Sequence, residues 1–290
     1  MDALCALFGI SRQAHYQKLG REAQRRREAA LVLEMVRQVR RKHPKMGGRK
    51  LHFKLEPMLA AEGLKMGRDR LFDLLREADL LVKRRKSYRR TTVPGLFRTL
   101  NLLPGLSVCR PNQVWVSDIT YLETEDQPFV YLFLLMDLYS RCIVGWHVAP
   151  SLATTGALEA LQMALQPAQG PSWEGLIHHS DHGVQYTSHA YLDLLQQHRL
   201  RPSMGEVGNC YDNAFAERVI GTLKGEYALG MRLQDRDHAW TMAAEAVHLY
   251  NTDRPHLALN YALPLVVYQD GPFAHVPPVI IPAVVEETVG

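Results

Sequence analysis

The chain has 290 residues, 47% of them apolar and 22% charged, which is room for one large domain and a smaller one in an ordinary globular composition. No apolar run reaches the length of about 20 residues that a spanning helix needs, and the first residues lack a cationic start followed by an apolar stretch and a cleavage site. Cys5, Cys109, Cys142 and Cys210 are scattered without a CxxC pair, which argues against a disulfide framework or zinc knuckle. A cytoplasmic protein with no membrane partner is expected. The net charge of +4 hides an asymmetry. Residues 1–110 hold 26 Lys and Arg against 10 Asp and Glu, and residues 111–290 hold 8 against 20. A basic module suits a phosphate backbone, because each neutralised phosphate releases condensed counterions.

In chain order, Leu4–Phe8, Gly9 and a second short helix from a Ser11 cap to about Leu19 read as helix–turn–helix. Ala29–His43, Arg49–Glu62 (with a kink expected at Pro57) and Asp69–Ala78 have apolar residues at helical spacing. Together they predict a compact trihelical unit. Arg68 and Arg70, at the start of its last helix, are candidate DNA contacts in a major groove. The run Lys83, Arg84, Arg85, Lys86, Ser87, Tyr88, Arg89, Arg90 reads as an arm that orders on phosphate. Residues 1–90 are thus expected as a helical, helix–turn–helix-like DNA-binding region, and 91–111, rich in Pro and Gly, as a linker.

From Asn112 the pattern turns to strands: Val114–Leu122, Phe129–Met136 and Arg141–Val148, the last two joined by a turn at Asp137–Ser140. Helices are expected at Thr154–Gln166, Ser188–His198, Asn213–Leu229 and His238–Tyr250, with short strands at Leu176–Ser180 and Arg201–Met204. Three strands followed by helix–strand–helix–strand–helix describe an α/β fold, a mixed sheet flanked by helices. This α/β region is expected over 112–270, with 271–290 a loosely held tail.

Three acids stand at element ends. Strand alternation puts Val116, Asp118 and Thr120 on one face; Asp181 follows the apolar end of Leu176–Ser180; Glu217 lies one turn into a helix that Asp212 or Asn213 can cap. A carboxylate amid Trp115, Val116, Ile119 and Tyr121 is costly without a cation. Converging carboxylates suit hard divalent ions, Mg²⁺ or Mn²⁺, and a pair of such ions supports in-line displacement at phosphorus. Thirty-five residues separate Asp181 from Glu217, and Lys224 follows Glu217 by two helical turns on the same face, where an ammonium can meet a phosphate or simply face solvent. Asp137 reads as a turn residue only. His178, His179 and His182 bracket Asp181 but lack a second pair of zinc ligands, and Asn251, Asp253, Arg254 and His256 read as a structural turn bent by Pro255.

The segments WVSDITYL (115–122), LMDLYSRCIVGW (135–146), HHSDHGVQYTS (178–188), GNCYDNAFAERVIGTLKGE (208–226) and YNTDRPHLALNY (250–261) resemble the catalytic half of the insertion-sequence-three family of bacterial transposases and, more distantly, retroviral integrases. GGRKLHFKL and RLFDLLREADLLVKRR resemble the helical region that precedes that core. The resemblance implies a ribonuclease-H-like fold and a site of Asp118, Asp181 and Glu217 holding two Mg²⁺ or Mn²⁺ ions. It also implies strand cleavage at transposon ends followed by 3′-OH strand transfer. It places Gln185 and Tyr186 in a loop near DNA and Lys224 on DNA. The partners implied are double-stranded DNA, further copies of the chain on that DNA, and an upstream helix–turn–helix and leucine-zipper protein. Glu206 and Arg218 depart from the family wording; Arg218 is a further candidate DNA contact that offsets the charge of Glu206. An inactive or regulatory protein that occupies transposon ends is the alternative, and a ribonuclease acting on RNA–DNA hybrids shares the fold.

Overall fold

A computed structural model describes residues 11–82, 99–166, 173–205 and 214–283. The expected first helix Leu4–Phe8 with its Gly9 turn, the basic run 83–90, Glu206 and the helix cap at Asp212 or Asn213 lie outside these residues. The chain forms two compact units, residues 1–83 and 84–290.

The first unit contains three helices among its described residues: α1 (Arg12–Lys42), α2 (Gly48–Ala61) and α3 (Arg68–Glu77). The Ser11 hydroxyl accepts a hydrogen bond from the Ala14 amide at 3.1 Å, so Ser11 caps α1 as expected. The two helices expected on either side of residues 20–28 are one. REAQRRRE consists of good helix formers, and Gln24 Nε2 donates to Glu28 Oε1 one turn on, so nothing outweighs the modest cost of Gly20. Val32, Met35, Val36 and Val39 of α1 pack on Leu51, Leu55 and Leu59 of α2 and on Leu71 and Leu75 of α3. Pro57 sits within α2, which continues past it. Arg68 and Arg70 are exposed on α3; Arg68 Nε donates to Asp69, and Arg70 reaches Glu28 on α1 at 3.5 Å.

The second unit is built on a five-stranded mixed sheet. Its strands are β2 (Val114–Leu122), β3 (Val130–Asp137), β4 (Ile143–Ala149), β5 (Ile177–Ser180) and β6 (Arg201–Met204), in spatial order β4-β3-β2-β5-β6. The β2–β3 and β3–β4 pairs are antiparallel, and the β2–β5 and β5–β6 pairs parallel. A meander of three strands followed by two parallel strands added beside the first is the ribonuclease-H-like arrangement. Alternation sorts the core. Val114, Val116, Leu132, Leu134 and Met136 face one side, against α6 (Ala214–Glu226) and α7 (Arg236–Thr252). Trp115, Phe133 and Leu135 face the other, against α4 (Thr154–Leu165) and α5 (His189–Gln197). A last short helix, α8 (Pro264–Asp270), follows α7.

Two segments expected to be loose are held. Leu103 and Val108 of the expected linker are buried, and β1 (Ser107–Val108) pairs antiparallel with β7 (Val279–Ile280) of the expected tail. Val276 is buried too, and its carbonyl accepts from the Tyr139 hydroxyl. These apolar residues recur at no regular period, so their burial left no pattern to read.

Helix α4 lies directly on β4. A Cβ at Gly145 would stand 2.1 Å from the Ala160 carbonyl oxygen, which belongs to the helix backbone and cannot swing aside. Gly145→Ala is expected to destabilise the catalytic unit by about 1–3 kcal/mol through this overpacking. Chemical denaturation checks it; a midpoint equal to wild type would mean that helix and strand separate freely.

Candidate active site

Asp118 is the fifth residue of β2, on the face that carries Val114 and Val116 toward α6. Its Oδ1 accepts a hydrogen bond from the Ile119 amide at 2.8 Å, which fixes the carboxylate against its own strand. The parallel pairing Val116↔His179 carries the end of β5 alongside, and Asp181 emerges there. The Gly183 amide donates to Asp181 Oδ1 at 3.0 Å and fixes the second carboxylate at the start of a turn. Glu217, in the first turn of α6, is exposed.

Electrostatics couple these groups. The Asp118 carboxyl is pushed up to about 8, first by burial and then by Asp181. Glu217 adds to the rise, while the Ile119 amide and the Lys224 ammonium oppose it. Burial also raises Glu217. Lys224 is held down at about 8 by burial, against the pull of Glu123 and Asp118, and its Nζ stands 4.2 Å from the centre of the Tyr121 ring. Lys224 is therefore a docked side chain at the edge of the cleft and not a solvated one. Among the described residues no three His, Cys, Asp or Glu side chains converge on one point at the spacing of a metal's ligands. The donor set nonetheless fits a hard divalent ion. It is all oxygen, and ionising Asp118 beside two other acids is uphill in a way that only added positive charge reverses.

His178 and His179 are held by buried partners. Tyr191 Oη and His178 Nε2 are 2.9 Å apart, and burial holds His178 neutral, down at about 3. His179 Nδ1 pairs with Ser203 Oγ, which accepts in turn from the Leu102 amide. The loop after Asp181 is equally well tied. Gln185 and Tyr186, placed near DNA by the resemblance, are only 7% and 2% exposed. Gln185 Nε2 donates to the Leu152 carbonyl, and Tyr186 packs between His178 and Tyr191. Both therefore turn inward and shape the loop; an amide or phenol that finds buried partners is drawn from solvent. Arg218 is exposed on α6, beside Arg141 of the β3–β4 turn.

Two residues escaped the sequence reading. Tyr121 bears the Lys224 ammonium, and its place three residues past Asp118 at the end of β2 was the available signal. Arg141 lies over the Phe215 ring at 4.7 Å, and nothing local in the sequence marked it. In the turn at residues 250–256, expected to be structural, Asn251 and Arg254 have partners within the chain. Asn251 clasps Ile143 through both its amide groups, and Arg254 makes two hydrogen bonds to Glu226 at the end of α6, at 2.9 and 3.1 Å.

The integrase core domain family matches residues 109–210, and a second integrase core family matches 198–264. The chain is 35% identical over 269 residues to an insertion element IS600 uncharacterized 31 kDa protein of Shigella sonnei, across 90% of this chain and 96% of that one. It is 42% identical over 127 residues to the transposase InsF for insertion sequence IS3fB of Escherichia coli K12, across 44% of this chain and 43% of that one. Among solved structures, the HTLV-2 integrase catalytic core domain in complex with magnesium superposes with a TM-score of 0.43 at 15% identity, over 58% of this chain and 99% of that one. No described helix is long and apolar enough to cross a membrane. With a relative of that identity aligned along nearly its whole length, the chain belongs to the insertion-sequence-three family of bacterial transposases and carries their integrase core.

Proposed function

We propose that this transposase cleaves DNA strands at transposon ends and joins the freed 3′-OH to target DNA, using Asp118, Asp181 and Glu217 with two Mg²⁺ or Mn²⁺ ions. The observation that supports the reading is the Asp118 carboxyl, whose ionisation is opposed by burial, by Asp181 and by Glu217. The three carboxylates would hold the ions, which supply charge to activate the attacking oxygen and to stabilise the departing one.

The chain's own groups do the placing. The Ile119 and Gly183 amides aim the Asp118 and Asp181 carboxylates, so neither must reorganise when substrate arrives. Lys224, docked on Tyr121, presents its ammonium to a phosphate beside the reacting one. Gln185, Tyr186 and Ser188 brace the loop after Asp181. In the first step a water oxygen bonds to phosphorus as the bond to the 3′ oxygen breaks, leaving a 3′-OH. In the second, that 3′ oxygen attacks a target phosphorus and displaces another 3′ oxygen. No side chain becomes covalently attached to DNA. The partners on this reading are double-stranded DNA, other copies of the chain on that DNA, and an upstream helix–turn–helix and leucine-zipper protein. Arg68 and Arg70 of α3 and the basic run 83–90 serve as contacts to the duplex.

The test is a strand-joining assay on end-containing duplexes with Mg²⁺ or Mn²⁺. Glu217→Gln is expected to lose joining by about a thousandfold, equivalent to roughly 4 kcal/mol of transition-state stabilisation, while duplex affinity stays within about twofold. Joining at the wild-type rate by this variant would remove Glu217 from the site.

A further inference from the structure

One face of α1 changes chemistry along its length. Val32, Val36 and Val39 of that face are buried against α2 and α3. The same face, traced back from Val32 in steps of three and four, carries Glu28, Arg25, Arg21 and Lys18. Hydrophobic burial accounts for the valines but not for the cations. Lys18, Arg21 and Arg25 are exposed and, among the described residues, pair with no carboxylate. Arg21 Nε donates to the Gln17 carbonyl one turn back on the same helix, which leaves its charge unneutralised. Glu22 lies at the rim of the face. Like charges three and four residues apart weaken a helix, so the row is costly while it faces water alone. Glu28, half-buried where the row meets the valines, fixes the row's position. Its Oε2 accepts from Arg70 Nη2 at 3.5 Å, so the start of α3 abuts the end of the row.

We infer that Lys18, Arg21 and Arg25 form a binding face for the sugar–phosphate backbone of duplex DNA, set beside the start of α3. The class of partner follows from the composition of the row. A protein partner needs an apolar centre to its interface, and this row has none; a phosphate backbone needs only cations at intervals. From Lys18 to Arg25 the row runs about 10 Å along the helix axis. That length meets more than one phosphate of a strand that rises about 3.4 Å per nucleotide. Arg70, tied to Glu28, extends the row onto α3. The inference rests on the reading of the first unit as a DNA-binding region. It adds a backbone contact that sets the position of α3 on the duplex and reads no sequence itself.

The experiment measures the affinity of the full chain for a fluorescent duplex as a function of salt, on one duplex containing the element's end and on one of scrambled sequence. Two double variants remove the same charge from the same helix: Arg21→Gln with Arg25→Gln on the row, and Arg26→Gln with Arg27→Gln off it. All four sites are exposed and glutamine is a good helix former, so both proteins keep α1, which circular dichroism checks. The row variant is expected to bind both duplexes about 10–100-fold more weakly, because phosphate contacts carry no sequence information. Its slope of log affinity against log salt should flatten by about 1.8, twice the value for one phosphate, and that of the off-row variant by less than about 0.5. An unchanged slope for the row variant leaves the row to an acidic protein surface or to solvent, and equal flattening by both variants reduces it to overall charge; either result overturns the inference. Glu217→Gln, run in parallel for joining and binding, separates this claim from the catalytic one. If Glu217→Gln loses joining while the row variant binds as wild type, the row is struck and the catalytic reading stands. If Glu217→Gln joins normally while the row variant's slope flattens, the reverse holds.

Discussion

Replacing Asp118 with Asn is expected to abolish strand joining and, in the same protein without divalent ions, to raise its stability. The two effects have one cause. The carboxylate is half-buried against β2, and Asp181 and Glu217 both disfavour its charge. Losing it removes an anionic oxygen from the cleft, and joining should fall at least about a thousandfold, or roughly 4 kcal/mol. Its folded value of about 8 stands above the ordinary 3.8, so the folded state holds a proton that the unfolded chain releases between those limits. The contribution of Asp118 to stability in EDTA should therefore be greatest below about pH 4 and decline as pH rises toward 8, at up to roughly 1.4 kcal/mol per pH unit. Asn does not titrate, so Asp118→Asn should flatten that decline and melt later than wild type at pH 8. Added Mg²⁺ should raise the wild-type melting temperature and leave that of the variant almost unmoved. Parallel stability curves for the two proteins in EDTA between pH 4 and 8 would show that Asp118 carries no such strain.

Arg254→Ala should cost about 3–5 kcal/mol of folding stability, the largest loss expected from any substitution outside the cleft. The guanidinium is almost wholly buried, makes two hydrogen bonds to Glu226 and lies over the Tyr250 ring. Truncation leaves the Glu226 carboxylate with its partner gone at the end of the helix that carries Glu217 and Lys224. Pairing with Glu226 raises Arg254 even though burial opposes the charge, so the ion pair persists across the working range of pH. Guanidinium denaturation of the two proteins decides the matter. A loss below about 1 kcal/mol would place the pair among solvent-screened surface bridges. Arg254→Lys keeps the charge but not the paired fork and is expected to fall between the two.

The features that could be read from sequence were those whose physics is local. The alternation of Val116, Asp118 and Thr120, the apolar run of β3, the Ser11 cap and the helix after Ser188 each follow from neighbours a few residues apart, and the structure has these elements. The long helix α1 was read as two, and the helix formers of residues 21–28 join them. The inward turn of Gln185 and Tyr186 was hidden for the opposite reason. Their partners, Leu152, His178 and Tyr191, are brought in by other elements, and no local pattern announces such meetings. Asp118, Asp181 and Glu217 were nameable from spacing and wording. Their mutual influence, and the seat of Lys224 on Tyr121, depend on how β2, β5 and α6 come together. Arg141 belongs wholly to that second class.

The ribbon of β1 with β7 has a temporal consequence. Its two strands lie at opposite ends of the catalytic unit in sequence, and joining distant segments costs only slowly more entropy as the intervening chain lengthens, although such contacts form late. During translation, Ser107 and Val108 must wait uncovered until Val279 and Ile280 have cleared the ribosome. The ribbon therefore closes only after all five strands of the sheet have been made.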